Sequence, residues 1–167
     1  EGAGGGGKFD LLELYCGNGN FTLPLSALFR KVLATELDKY SVRAATACAH
    51  HAKVHNVAFA SLSAAEATQA FNKEREFFRL RDIDLDSYDF KALLVDPPRA
   101  GLDQYSIGLA QKFEEVLYIS CNPAKLVQDL EELPDHHIVS AALFDQFPWT
   151  DHAEVAVRLK KRGQTVA

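Results

Sequence analysis

Short apolar runs alternate along the chain with longer stretches in which apolar residues recur every three or four positions. Runs of four to six apolar residues are typical of buried strands, whereas the longer spacing is typical of helices. The apolar runs are residues 10–15, 31–36, 57–62, 92–95 and 116–120. The helical stretches are residues 21–29, 39–51, 64–71, 105–113 and 125–133. This alternation predicts a parallel sheet with helices on both faces.

Two further strand candidates, residues 138–144 and 154–159, follow the last predicted helix. The polar and aromatic connection between them is too short for a helical crossover, so we expect the pair to be antiparallel. The sequence therefore predicts an α/β fold of the Rossmann-like type. Its seven-stranded sheet should be mostly parallel, with an antiparallel last pair.

The length and composition indicate one globular domain. The chain has 167 residues, of which 47% are hydrophobic, enough for a substantial core. Glycine-rich residues 1–8 should form a flexible lead-in, residues 9–162 the folded domain, and residues 163–167 a tail. The chain has no methionine, so it is expected to be a processed or excised piece of a longer protein.

The charge and cysteine content narrow the classes of function. A net charge of -5 argues against a general basic surface for nucleic acid, although a local basic patch stays open. Three widely spaced cysteines predict neither a disulfide framework nor a zinc site, and we expect no bound metal. We expect a cytoplasmic protein without a membrane segment, because no apolar stretch reaches the length of about 18 residues that a membrane-spanning helix needs.

Residues 72–89 interrupt the alternation with a polar stretch that has two interpretations. Four basic residues stand there among acids and the pair Phe77 and Phe78. A solvated surface excursion is one interpretation. An insertion that contacts the substrate is the other.

A turn with two glycines follows the first predicted strand. Gly17 and Gly19 allow a tight turn and a close approach of a ligand to the backbone. Thr22 stands where a dinucleotide fingerprint has its third glycine, which disfavours a nicotinamide cofactor. Glu36 ends the second predicted strand, where an acid commonly binds both ribose hydroxyls of an adenosyl cofactor. An ordinary turn and an exposed acid would explain each feature singly; together they favour S-adenosyl-L-methionine.

Two other predicted strands end in reactive residues. One ends in Asp96-Pro97-Pro98-Arg99, a stiff exit that can hold the Asp96 carboxylate toward a planar base or a cofactor. The other ends in Cys121, where the N-terminus of the next helix could promote the thiolate. The Pro-Pro exit could instead be a simple turn that blocks a helix. Cys121 could instead be a small buried hydrophobic residue. Cys16 and Cys48 fit a structural role better.

Glu154 precedes an apolar strand near the end of the chain and is a candidate general base. An edge-strand glutamate that faces water is an equal alternative. Five of the six histidines show no metal-ligand spacing. Surface positions are expected for these five, His50, His51, His55, His136 and His137.

Three motifs give the chain a resemblance to the RNA uracil-5-methyltransferases, and within them to the bacterial tRNA (uracil-54-C5)-methyltransferases. They are Leu-Glu-Leu-Tyr-Cys-Gly-Asn-Gly-Asn-Phe at 12–21, Val-Asp-Pro-Pro-Arg-Ala-Gly at 95–101 and Tyr-Ile-Ser-Cys-Asn-Pro at 118–123. Residues 142–150 and 79–85 resemble the tRNA enzymes more than their ribosomal-RNA relatives. The resemblance spans about residues 9–159 and implies the fold of S-adenosylmethionine-dependent methyltransferases.

The resemblance also implies a mechanism and a partner. Cys121 would add to uracil C6, the activated C5 would take the methyl group, and Glu154 would remove the C5 proton. Asp96, Arg99 and Phe147 would hold a flipped-out base in the T loop of a tRNA. The cofactor-binding residues would be Tyr15, Gly17, Asn18, Gly19, Asn20, Glu36 and Asp96.

Two departures from the family pattern leave alternatives open. Ala153 replaces the methionine that usually precedes the glutamate. Family members also carry an N-terminal region for RNA binding, and this chain is expected to need one. A ribosomal-RNA uracil-5-methyltransferase is therefore one alternative, and a non-catalytic cofactor-binding fragment is another.

Overall fold

A computed structural model describes residues 7–146, 148–150 and 153–163. Residues 1–6 of the predicted lead-in and residues 164–167 of the predicted tail lie outside the described residues. The strands are β1 Asp10–Leu14, β2 Val32–Glu36, β3 Val57–Ser61, β4 Phe90–Val95, β5 Glu115–Ser120, β6 His136–Phe144 and β7 Glu154–Lys161. The α-helices are α1 Thr22–Leu25, α2 Lys39–His51, α3 Ala64–Phe71, α4 Gln104–Ala110 and α5 Pro123–Glu131.

The chain divides into two compact units, and the first comprises residues 1–91. Three strands of this unit are parallel, with β2 paired on one side with β1 and on the other with β3. Leu11, Leu14 and Val32 are almost completely buried, as expected for parallel strands that are covered on both faces. The continuous apolar runs of the sequence therefore report real burial.

Asp10, at the start of β1, is a fully buried carboxylate that holds three segments together. It accepts hydrogen bonds from the Arg30 guanidinium and from the backbone N–H groups of Lys31 and Asp89. Arg30 is also its ion-pair partner. The charge is thus compensated by donors from the segment directly before β2 and from the end of residues 72–89.

The helices α2 and α3 begin at side-chain caps. The Asp38 carboxylate accepts from the backbone N–H groups of Tyr40 and Ser41. Ser63 and Glu66 form a capping box, in which each side chain accepts from the other residue's backbone. These caps fix the predicted starts of both helices.

The helix predicted at residues 21–29 is wrong in length. Only Thr22–Leu25 is α-helical, and a 3₁₀ turn follows at Ser26–Leu28. The amide of Asn56 donates to the carbonyl oxygens of Ser26, at 2.8 Å, and Phe29, at 3.1 Å. Because a distant side chain satisfies these carbonyls, the backbone does not need to continue the helix.

Residues 72–89 are anchored to the first unit by part of their side chains. Two 3₁₀ turns lie at Phe78–Leu80 and Leu85–Ser87. Phe77 and Leu80 are buried, whereas Phe78 is 77% exposed. The Arg81 guanidinium lies over the exposed ring, 4.1 Å from its centroid. The segment is therefore a packed excursion that presents an aromatic ring and a cation to solvent.

The second unit comprises residues 92–167. In it, β4 and β5 are parallel, and β7 pairs antiparallel with both β5 and β6. The last strand of the chain thus lies between β5 and β6. The antiparallel last pair is confirmed, with β6 and β7 each two residues longer than predicted.

The strand order of the seven-stranded sheet is β3-β2-β1-β4-β5-β7-β6. This order and the antiparallel last pair confirm the predicted Rossmann-like α/β fold. Among the residues that the structure describes, no helix has the length and apolar character required to cross a membrane.

Candidate active site

The turn after β1 has the geometry expected of a ligand-binding loop. Tyr15, Gly17 and Gly19 have φ values of 61°, 52° and 82°. The N–H of Gly19 donates to the carbonyl of Cys16 at 2.8 Å and closes the turn. Positive φ is costless for the glycines, but it is strained for Tyr15.

The two glycines have different reasons to lack a side chain. At Gly19 a Cβ would stand 3.3 Å from the Cβ of Ala45, so the turn approaches α2 closely. At Gly17 a Cβ would meet nothing within 4 Å. The backbone of Gly17 therefore borders open space, which a ligand can enter without displacing protein atoms. Asn18 and Asn20 are exposed on the same turn.

Glu36 ends β2 and is tied to this turn. Its Oε2 accepts from the N–H of Gly17 at 3.1 Å, and its Oε1 accepts from the N–H of Asp38 at 2.9 Å. Each carboxylate oxygen has further lone pairs, so Glu36 can accept additional hydrogen bonds. These residues fit the ribose and the backbone contacts of an adenosyl cofactor.

Cys16 lies inside this turn but is not a good nucleophile. Burial raises the pKa of its thiol far above the ordinary value, and the negative charges of Glu13 and Glu36 raise it further. The thiol therefore stays protonated at neutral pH. This agrees with the structural role that the sequence favoured.

Four of the predicted chemical residues belong to the second unit, and Asp96 is the first of them. It follows β4 directly, and its side chain is half-buried. Burial raises the pKa of the Asp96 carboxyl to about 6, and the negative charge of Glu154 contributes to this shift. Asp96 and Glu154 thus lie within electrostatic reach of each other.

Cys121 and Glu154 lie at the same end of two paired strands. Cys121 follows Ser120, the last residue of β5, and Ser120 lies opposite Val155 of β7. Glu154, the first residue of β7, precedes Val155. Cys121 is partly exposed, whereas Cys16 is buried and Cys48 is exposed on α2. The structure thus brings a reachable thiol next to a carboxylate.

Arg99 lies on the exposed turn after β4 and is connected to the Cys121 segment through its backbone. Its carbonyl accepts from the side-chain amide of Asn122 at 3.0 Å. The two prolines rigidify this turn. Pro97 is buried in the second unit, whereas Pro98 is exposed to solvent. Asp96, Arg99, Cys121 and Glu154 therefore surround one strand-end region of the second unit.

Sequence reasoning missed two residues of this region. Asn122 caps α5 by accepting from the N–H of Lys125, which starts the helix at Pro123, two residues earlier than predicted. Asp129 is buried on α5 and accepts from the hydroxyl of Tyr118 at 2.6 Å. The Asn-Pro pair at 122–123 is a recognisable helix start, but nothing local marks Asp129 as buried.

Phe147 and His136 are two further positions for which the sequence makes a prediction. Phe147, a predicted substrate-binding residue, lies outside the described residues. The surface position predicted for His136 is wrong, because this residue is 6% exposed and its Nε2 lies 2.9 Å from the carbonyl oxygen of Phe113. His136 is the first residue of β6 and is the buried one at the N-terminal end of this strand. In the described part of the chain, no group of histidines, cysteines and acids is arranged to hold a metal ion.

Curated relatives match most of this chain. A tRNA/tmRNA (uracil-C(5))-methyltransferase of Pseudomonas aeruginosa (strain LESB58) is 58% identical over 154 residues, which are 92% of this chain and 42% of the relative. A protein of the same name from Pseudomonas fluorescens is 54% identical over the same share of both chains. The chain thus spans about two fifths of the length of these relatives.

Solved structures show the same fold. The tRNA (uracil-54, C5)-methyltransferase of Pyrococcus abyssi, solved with S-adenosyl-L-homocysteine, matches with a TM-score of 0.71 and 24% identity. The match covers 90% of this chain and 34% of that protein. An rRNA methylase from Streptococcus thermophilus matches with a TM-score of 0.60 and 14% identity, over 93% of this chain and 88% of that one.

The family model described as tRNA (Uracil-5-)-methyltransferase matches residues 3–162, nearly the whole chain. The match includes the glycine turn, the Asp96–Arg99 exit, Cys121 and Glu154. This chain therefore belongs to the tRNA (uracil-5-)-methyltransferase family.

Proposed function

We propose that this chain is the catalytic part of an enzyme that methylates C5 of a uridine in the T loop of tRNA through a covalent adduct. The observation that carries the proposal is the placement of Cys121 and Glu154 at one end of the paired strands β5 and β7. A thiol and a carboxylate at such a position can add to a pyrimidine and then remove its proton. Family membership supports the same chemistry.

S-adenosyl-L-methionine is the proposed methyl donor, and it supplies an electrophilic methyl group. Glu36 would accept the ribose hydroxyls with the lone pairs that Gly17 and Asp38 leave available. Tyr15, Asn18 and Asn20 would complete the binding turn with Gly17 and Gly19. Asp96 would serve the cofactor or the base from the exit of β4.

In the proposed reaction, Cys121 acts first as a nucleophile. Its sulfur forms a bond to uracil C6, and the C5–C6 double bond shifts its electron pair into an enolate. C5 can then take the methyl group. Arg99 would stabilise the negative charge on the uracil oxygen, and Asp96 would orient the ring.

Glu154 acts last, as a general base. It removes the proton from C5, the C5–C6 double bond forms again, and the C6–S bond breaks to release the Cys121 thiolate. Atoms and charge balance, since the Cys121 thiolate is released as it entered, the sulfonium donor would leave as neutral S-adenosyl-L-homocysteine, and the C5 proton stays on Glu154. Phe147 is proposed to hold the flipped-out base.

The RNA partner is proposed to need sequence beyond that of this chain. The chain is acidic overall and spans 42% of the length of a relative with the tRNA/tmRNA name. Phosphate binding depends on clustered basic residues. The larger share of the relative's length is therefore the proposed source of most RNA affinity, and we propose an N-terminal region for this role.

The test is adduct trapping on tRNA that contains 5-fluorouridine, since fluorine at C5 cannot leave as a proton. With S-adenosylmethionine, the longest natural polypeptide that carries this chain should form a stable protein–RNA adduct. Cys121→Ala should form none, and Cys48→Ser should form as much as the unmodified protein. An adduct in Cys121→Ala would overturn the assignment.

Two comparisons separate the alternatives. Methylation of unmodified tRNA but not of ribosomal RNA is expected, and the reverse would favour a ribosomal-RNA enzyme. Calorimetry with S-adenosylmethionine tests cofactor binding directly. Binding by the long polypeptide without any turnover would indicate a non-catalytic module.

A further inference from the structure

Asp129 is a buried carboxylate that bonds to residues near the strand ends of the second unit. It is 2% exposed and lies on α5. Its Oδ2 accepts from the N–H of Leu102 at 2.9 Å and from the hydroxyl of Tyr118 at 2.6 Å. Its Oδ1 pairs with the ammonium of Lys125 at 2.8 Å. The carboxylate thus has three donors, which compensate its burial.

Two of these donors, Leu102 and Tyr118, come from the two segments that carry the proposed reacting groups. Leu102 ends the turn that begins at Asp96 and includes Arg99. Tyr118 is completely buried on β5, three residues before Cys121. One carboxylate therefore connects the exit of β4 to the end of β5.

Asn122 makes a second connection between the same segments. Its Nδ2 donates to the carbonyl of Arg99 at 3.0 Å, and its backbone N–H donates to the Ser120 hydroxyl at 3.1 Å. Cys121 lies between these two anchored residues. The backbone that carries its thiol is therefore restrained on both sides.

Gly101 shows that the turn approaches Asp129 as closely as a backbone can. Its φ is +80°, and a Cβ there would stand 2.4 Å from Asp129 Oδ2 and 2.5 Å from Lys125 Cγ. Both the backbone conformation and the space require glycine. The contact between the turn and α5 thus has little freedom to vary.

We infer that Asp129 is a positioning residue that holds the Asp96–Leu102 turn and the Cys121 strand end in the relative arrangement the reaction needs. This inference rests on the proposed function. Asp129 has no proposed contact with the uracil, and it acts through Tyr118 and Leu102. Because covalent addition depends on the placement of thiol and base, a small displacement of either segment should slow it strongly.

The test uses Tyr118→Phe and Asp129→Asn in the longest natural polypeptide that carries this chain. Tyr118→Phe keeps the ring in its place and removes only the donor hydroxyl. Both variants should lower kcat and the rate of adduct formation with 5-fluorouridine tRNA roughly 10- to 100-fold. The KM for S-adenosylmethionine should change much less than kcat, because Glu36 and the turn after β1 are unchanged and only the contact proposed for Asp96 lies on the displaced turn.

Glu115→Gln is the matched control. Glu115 is the first residue of β5 and forms exposed ion pairs with Arg158 and Lys160. Its loss removes a carboxylate from the same unit at the opposite end of β5, and the adduct rate should not change. If Asp129→Asn does not fold, Tyr118→Phe decides. Rates in Tyr118→Phe equal to those of Glu115→Gln would overturn the inference.

A readout without RNA separates this inference from the proposed function. In a Cys48→Ser background, alkylation of Cys121 by iodoacetamide should become at least about threefold faster in Tyr118→Phe, because the strand end is less restrained. If the unmodified protein forms no RNA adduct, the proposed function fails. The positioning role is then judged by alkylation alone, and an unchanged rate overturns it.

Discussion

The Oε2 of Glu36 accepts a hydrogen bond from the backbone N–H of Gly17 at 3.1 Å, although 19 positions separate the two residues. This bond ties the end of β2 to the turn after β1. The same carboxylate receives the N–H of Asp38, which begins α2. Glu36 thus stabilises the proposed cofactor loop and also offers the cofactor a hydrogen-bond acceptor.

Removal of the Glu36 carboxylate should weaken cofactor binding. In Glu36→Ala we expect the Kd for S-adenosylmethionine to rise about tenfold or more, since both the ribose acceptor and the Gly17 bond are lost. Calorimetry measures this directly. Asp38→Ala is the control, because it removes a neighbouring exposed carboxylate that caps α2 and should leave the Kd within about twofold. Equal affinities in Glu36→Ala and the unmodified protein would contradict the assignment.

The raised pKa of Asp96 predicts a pH dependence of stability. Its carboxyl has a pKa of about 6 in the folded chain, against 3.8 for an ordinary aspartate. Protonated Asp96 is thus favoured by folding, so its stabilising contribution is present below pH 3.8 and is lost as the pH rises through 6.

The matched variant is Asp96→Asn, which cannot ionise. Relative to Asp96→Asn, the free energy of unfolding of the unmodified protein should fall by about 2 kcal/mol between about pH 4 and pH 7. Urea titrations over this range measure the difference. A constant difference would show that Asp96 ionises normally.

The three thiols should react with iodoacetamide in the order of their exposure. Cys48 is exposed and should react first, followed by the partly exposed Cys121. Cys16 should react last, because burial and two carboxylates raise its thiol pKa. Peptide mass spectrometry after timed quenching resolves the three rates. All three should react alike in denaturant, and a fast Cys16 in the folded protein would refute the described environment.

The exposed ring of Phe78 tests the two interpretations of residues 72–89. A base can stack on a ring that also carries the Arg81 guanidinium at 4.1 Å, so we expect Phe78→Ala to raise the KM for tRNA severalfold. Its unfolding free energy should change by less than about 0.5 kcal/mol. Leu28→Ala, at another exposed apolar position of the same unit, is the control. An unchanged KM would leave the segment as a solvated excursion.

Loss of the buried Asp10 carboxylate should cost more stability than loss of an exposed carboxylate. In Asp10→Ala, the N–H groups of Lys31 and Asp89 and the Arg30 guanidinium lose their acceptor. We expect a loss of about 3 kcal/mol, measured by urea unfolding. Asp38→Ala, which removes only an exposed helix cap, should cost about 1 kcal/mol. Similar values for both variants would show that the buried network contributes little.

The strands could be predicted because each contains a short apolar run. In β1 and β2 this run is buried on the sheet, whereas β6 is exposed at every residue except His136. The carboxyl-end placement of Asp96, Cys121 and Glu36 followed from the same pattern. The short α1 could not be predicted, because the carbonyls that follow it, those of Ser26 and Phe29, are satisfied by the side chain of Asn56, the residue before β3. The local sequence around α1 cannot indicate such a long-range contact.

The same limit applies to the electrostatics of the site. The sequence placed Asp96 and Glu154 at strand ends, but the raised pKa of Asp96 depends on burial and on their proximity. Asp129 was missed for a related reason: its partners Leu102 and Tyr118 lie on two other segments. The chemistry-bearing residues were thus readable from their motifs, whereas the residues that hold them in place were not.

Tyr15 holds a backbone conformation, with φ at 61°, that glycine adopts without strain. Relief of that strain is of order 1 kcal/mol, so selection for heat resistance alone should replace Tyr15 with glycine. Selection for methyl transfer should keep the aromatic ring beside the proposed cofactor. Directed evolution under the two pressures is therefore expected to diverge at this one position, where stability and catalysis compete.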